Sequence, residues 1–208
     1  MAQQEKGLAD LLEHGLKDIY YAEKAIYKAL PKMIEGASDE ELRDAISSHR
    51  DETEGQIETL ERVFEAMGKK PSGEKCDAID GILKEGDSLL KEFGGTAAGD
   101  AAIIFASQAV EHYEITRYGS LRTYAELLGL DDVAEMLNEI LEQEVAADET
   151  LSDLAEDRIN EDAAGEGRHV GHVVAGEHDG GAGAGVVGHG AAAGGAGDLQ
   201  RHLRGVRE

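Results

Sequence analysis

The sequence predicts an all-α protein: a four-helix bundle with a long second-to-third helix crossover that carries a short extra helix, followed by a low-complexity tail. Three observations predict it. Four long stretches repeat apolar residues at spacings of three and four, the order of an amphipathic helix. The breaks after the first and third stretches are short, whereas the break after the second spans residues 68–99, as in bundles with one crossover. Each of the four apolar stripes is also interrupted by acidic side chains at a similar depth.

The first helix is expected over 7–35. Its stripe is Leu8, Leu12, Gly15, Ile19, Glu23, Ile26, Leu30 and Met33, with Pro31 and Gly36 disturbing and ending the last turn. Ser38 with Glu41 reads as a capping box opening the second helix. That helix runs to about Met67, where Gly68 stops it, and its stripe is polar at the centre: His49, Glu52 and Gln56. In the crossover, Cys76, Ile79, Ile82, Leu83, Leu89, Leu90 and Phe93 suggest one or two short helices weakened by Gly81 and Gly86. The third helix is expected from about Asp100 to Leu128, with Ile104, Gln108, Glu111, Glu114 or Ile115, Tyr118, Leu121, Ala125 and Leu128 on its inner face. After Gly129, the fourth runs from Asp132 to about Asp157 through Val133, Leu137, Ile140, Glu144, Asp148, Leu151 and Leu154.

Residues 1–164 thus read as the bundle. Residues 165–208 hold fourteen of the 27 glycines and five of the eight histidines, which cannot build a core, so disorder is expected there. His169, His172, His178 and His189 in that tail are weak metal-binding candidates. The net charge of −24 argues against nucleic acid and anionic membranes, both of which favour Lys and Arg. No apolar run reaches the length of a membrane span, the first residues lack the apolar core of a signal peptide, and Cys76 is the single cysteine. A cytoplasmic setting is the expectation.

The acidic interruptions carry the functional reading. Glu23, His49 with Glu52, Glu111 with Glu114, and Glu144 with Asp148 one turn on all fall mid-helix. At ~1.5 Å per residue, the carboxylates lie about 17–24 Å from their helix starts. Paired helices run antiparallel, so such positions meet at one level. Carboxylates gathered in a dry core cannot all ionise without cations. Hard oxygen ligands with one imidazole suit iron or manganese, and two such ions can share bridging carboxylates. The competing reading is a metal-free polar network. In it the carboxyls share protons, accept from Tyr20, Tyr21, Tyr27, Tyr113 or Tyr118, or pair with Arg117 and Arg122.

The motifs LKDIYYAEKAIYKALPKM, SHRDETEGQIETLERVFEAMGKKP, KCDAIDGILKEG, AVEHYEITRYGSLRTYAELLG and LEQEVAADETLSDLAEDRIN span about residues 7–160. Together they resemble the YciE/YciF family of bacterial ferritin-like stress proteins. The resemblance implies a ferritin-like bundle, a homodimer, a stress-response role, and kinship in fold with rubrerythrins and other di-metal carboxylate proteins. No reaction is assigned to the family. By that pattern Glu23, Glu52 and Glu144 are the metal ligands of the first, second and fourth helices. Glu111 and Glu114 match the Glu-x-x-Glu of the third, and Glu52 and Glu144 are the expected bridging ligands. The chain departs from the di-iron pattern where histidines are expected, because Gly55 and Ala147 stand there; His49, Gln56 and Asp148 are the nearest substitutes. Two functions therefore compete: a protein of iron or manganese that handles peroxide or oxygen under stress, and a non-catalytic structural or interaction protein.

Overall fold

The computed structural model describes residues 6–165. Five helices account for nearly all of them: α1 (Leu8–Gly36), α2 (Glu40–Ala66), α3 (Asp77–Phe93), α4 (Ala97–Leu127) and α5 (Asp131–Leu154). A π-helical turn, Ala155–Ile159, extends α5, and one further helical turn reaches residue 165. The histidines at 169, 172, 178 and 189, and the expectation of a disordered tail, lie outside the described residues.

Helices α1, α2, α4 and α5 form the bundle. The cross-links fix its sense. The Asp100 carboxylate at the start of α4 accepts the backbone amides of Ser38 and Asp39 at the end of α1, so α1 and α4 are antiparallel. Arg158, presented by the π-helical turn, donates to Asp39 and Glu41 at the start of α2, so α5 and α2 are antiparallel too. An extra residue in that turn re-aims the side chains beyond it, and here it carries the guanidinium to the α2 N-terminus.

The crossover is one continuous 17-residue helix rather than one or two short pieces. It runs alongside α1 in the same direction: Glu74 N–H bonds the Lys17 carbonyl, Tyr21 donates to Asp80, and Lys32 pairs with Asp87. Gly81 does not break it, and Gly86 is buried because a Cβ there would meet Met33 Cε at 3.0 Å.

Several boundaries differ locally from expectation. The α2 cap is Asp39 and not Ser38, because Asp39 Oδ1 accepts Leu42 N–H at 2.9 Å while its carboxylate also binds Arg158. Helix α4 starts three residues early because Thr96 caps it, accepting Gly99 N–H. Pro31 lies inside α1 without ending it. Gly68 and Gly129 adopt φ of +68° and +70° and stop α2 and α4, as their positions in the sequence suggest.

Candidate metal centre

The apolar stripes set the depth of the polar layer. Leu12, Leu16 and Ile19 anchor one end of α1, Ile26 and Leu30 continue it, and Glu23 between them is held at 0% exposure. The same logic buries Glu111 and Glu114 between Ile104 and Leu121 on α4, and Glu144 between Ile140 and Leu151 on α5. On α2, His49 is 8% exposed. The ligand atoms of His49, Glu111, Glu114 and Glu144 all lie within 4.8 Å of one another. Three helices thus converge on one point, and His49 Nε2 stands 3.4 Å from Glu111 Oε1.

Glu23 from α1 adjoins this group, and the Tyr118 hydroxyl donates to its Oε1. The Gln56 amide donates to Glu144 Oε1 and, at 3.1 Å, to Gln143. Much of the remaining polar capacity is unmet. Glu23 Oε2, Glu111 Oε2, both Glu114 oxygens, Glu144 Oε2 and both His49 ring nitrogens are buried without a hydrogen-bond partner. Among the described residues, neither Lys nor Arg pairs with any of the four carboxylates; Arg117 faces Asp18, and Arg122 faces Asn138 and Glu126.

Electrostatics follow from that geometry. Burial, then repulsion from Glu144, pushes the Glu23 carboxyl up to about 8. Burial first and the neighbouring carboxylates second hold Glu111 and Glu114 well above the ordinary range. Glu114 has no donor of its own, so its contact with Glu23 is a hydrogen bond only when a proton sits between them. Burial also raises the Tyr118 hydroxyl, which keeps it a donor to Glu23. The donor set of hard oxygens and one imidazole, with no Lys or Arg among the described residues paired to it, fits divalent iron or manganese.

Comparison with known proteins places the chain in a family. A model of a domain of unknown function, DUF892, matches residues 7–164. The chain belongs to that family. Within the DUF892 family, it is 41% identical over 159 residues to protein YciF of Escherichia coli K12, covering 76% of this chain and 96% of that one. The crystal structure of YciF, an E. coli stress protein, superposes with a TM-score of 0.72 at 41% identity, covering 75% of this chain and 99% of that chain. YcfI of Rhodopseudomonas palustris, for which a structural role has been suggested, gives 0.70 at 49% identity, covering 73% and 97%. A Xanthomonas campestris protein shares the fold at 24% identity and a TM-score of 0.62, covering 77% and 99%. The chain is therefore a homologue of a bacterial stress protein with the fold its sequence predicts. Among the described residues no helix is long and apolar enough to cross a membrane.

Of the residues singled out in the sequence, Glu23, His49, Glu111, Glu114 and Glu144 are brought together. Glu52 is not: it is exposed on α2, with Oε2 3.9 Å from His49 Nδ1 on the outer side of the ring. Inward from it stand Thr53 at 0% exposure and Gln56 at 2%. Asp148 lies beside the group without joining it, accepting from Gln108 at 3.1 Å and facing His112 Nε2 at 3.3 Å. Its charge still helps to raise Glu111. Of the candidate tyrosine donors, Tyr118 alone bonds one of the four layer carboxylates. Tyr20, Tyr21, Tyr27 and Tyr113 bond Glu61, Asp80, Glu54 and Asp18.

Proposed function

We propose that the mid-bundle layer binds two divalent ions, iron or manganese, and that the protein uses them on peroxide or oxygen in a stress response. One observation carries this reading: four ligand-bearing side chains from three helices meet within 4.8 Å in the buried middle of the bundle while most of their lone pairs have no partner in the protein. A polar layer selected only for packing would satisfy its groups, because an unmet buried polar atom costs about 1–3 kcal/mol. His49, Glu111, Glu114, Glu144 and Glu23 would hold the ions. Bound there, the metal would supply one-electron redox chemistry. The chain's own part is to gather the ligands in the buried middle of the bundle, hold their protons until a cation replaces them, and orient two carboxylates through Tyr118 and Gln56.

A second reading is supported by the same two hydrogen bonds. Tyr118 to Glu23 and Gln56 to Glu144 begin a network that shared protons could complete, giving a structural stress protein whose polar layer fixes helix register. Metal counting separates the two. The full chain is loaded anaerobically with Fe(II) or Mn(II) beside the double variant Glu111→Ala, Glu114→Ala, which keeps every tail histidine. The metal reading expects the wild type to hold about two more ions per chain than the variant, as a layer of this ligand number would. Equal counts, with a melting temperature that metal does not move, would favour the structural reading. Peroxide consumption by the loaded chain then tests for turnover.

A further inference from the structure

Next to the carboxylate layer, on the side towards the C-terminal end of α1, the bundle encloses a half-open cavity of about 510 Å³. All five helices line it. Its volume arises from small residues where bundle helices ordinarily carry Leu: Ala29, Ala45, Ala106 and Ala147. Ile26, Leu30, Met33, Ile82 and Val110 make its walls apolar. Its inner end is polar, formed by His49 and Glu111, whose exposures are 8% and 2%. Both His49 nitrogens and Glu111 Oε2 lack partners there. Glu52, Glu139 and Glu142 also border it, and all three are exposed.

We infer that this cavity binds a neutral, largely apolar organic molecule carrying one oxygen function, an alcohol or an alkyl hydroperoxide, with the oxygen turned to His49 and Glu111. The volume falls in the range of small-molecule sites, about 300–1,000 Å³, and such sites combine apolar walls with a few convergent polar groups. Apolar walls leave water with few partners, so an apolar body gains by displacing it. The exposed carboxylates at the rim, Glu52, Glu139 and Glu142, reject an anionic head group. As a statement about substrate the inference rests on the metal-site reading; as a statement about binding it stands on the cavity alone.

The probe is 1-octanol, with octanoate as its anionic counterpart, titrated into the metal-free full chain by calorimetry and followed by methyl NMR. Octanol should bind saturably at one site and shift the methyl signals of Ile26, Met33 and Ile82, leaving those of Leu16 and Leu60 in place. Octanoate should bind at least about tenfold more weakly, a difference of about 1.4 kcal/mol. The double variant Glu52→Gln, Glu142→Gln should narrow that gap, and Ala45→Phe should weaken octanol by a similar factor. Far-UV circular dichroism shows whether Ala45→Phe folds; the wild-type methyl shifts decide the matter if it does not. The inference is overturned by no saturable octanol binding, by equal binding of octanol and octanoate, or by shifts spread evenly over the core. A chain that self-associates through this face, with Ala45→Phe lowering its mass by light scattering and octanol not binding, overturns it in favour of a second copy. Octanol binding without metal loading sinks the metal reading alone, and metal loading without octanol binding sinks this one alone.

Discussion

On either side of the carboxylate layer the same four helices are built differently. Towards the N-terminal end of α1, Leu12, Leu16 and Ile19 meet Leu60, Val63 and Phe64, and every one of them is at 0% exposure. Tyr20 and Phe64 pack edge to face at 5.7 Å, and Gly15 lets α4 come so near that a Cβ would lie 2.6 Å from Leu121 Cδ2. Towards the other end, alanines at 29, 45, 106 and 147 leave space that no side chain fills. A close-packed half holds the geometry of the layer, and a loosely filled half gives access to it. Stability and access are thus divided along the bundle axis, with His49 and Glu111 at the boundary.

The largest expected effect is in the close-packed half. Leu60→Ala should cost about 2–5 kcal/mol in urea unfolding, the range for large-to-small changes in tight cores. A cost well under 1 kcal/mol would show that this half is not close-packed and would break the contrast. Next comes pH. The folded-state pKa of Glu23 is about 8 against an ordinary 4.5, so the folded metal-free chain binds more protons than the unfolded chain between those values. That stability is fully present below about 4.5 and is lost as pH rises through about 8, with Glu111 and Glu114 acting in the same direction. The melting temperature of the metal-free chain should therefore fall across this window. A rise would mean that the layer already holds countercharge. In the open half, Ala147→Leu should change stability by less than about 1 kcal/mol, since free volume receives the added atoms; a loss of several kcal/mol would mean that the cavity is not there. The smallest effect belongs to Glu52→Ala, within about 0.5 kcal/mol as for other exposed positions and with no change in metal count. Loss of metal on that change would return Glu52 to the ligand set.

Much of this was legible in the residues and some was not, for physical reasons. Glu23, Glu111, Glu114 and Glu144 were readable because each interrupts a strongly apolar stripe, where a charge is anomalous. On α2 the stripe itself is polar. From His49, the next inward residue lies three or four positions on, and about 100° per residue leaves Glu52 and Thr53 on either side of the same line. With no bulky side chain to settle the phase, periodicity chose the carboxylate, whereas packing buried Thr53. Ser38 and Asp39 posed a similar choice between adjacent caps, which Arg158 decided from more than a hundred residues away. The cavity left no local signal: alanine is a favourable helix residue anywhere, and only the placement of Ala45, Ala106 and Ala147 around one space gives it meaning. The continuity of α3 through Gly81 and Gly86 was likewise a tertiary outcome, since the propensity cost of a glycine is about 1 kcal/mol and α3 packs along both α1 and α4.

That crossover helix has a consequence for timing. Of its residues only Ile79 and Gly86 are buried, and its remaining ties include the Asp80 and Asp87 contacts to α1 and the Cys76–Tyr113 contact at its start. With Ile82, Leu83 and Leu90 only partly buried against the core, α3 detaches at less than the free energy needed to unfold the domain. Its amides should exchange with solvent sooner than those of α1 beside it. Ile82, Leu83 and Gly86 are also one wall of the cavity, so each brief departure of α3 would unroof it, and guests would come and go at the tempo of one helix while the other four keep their places.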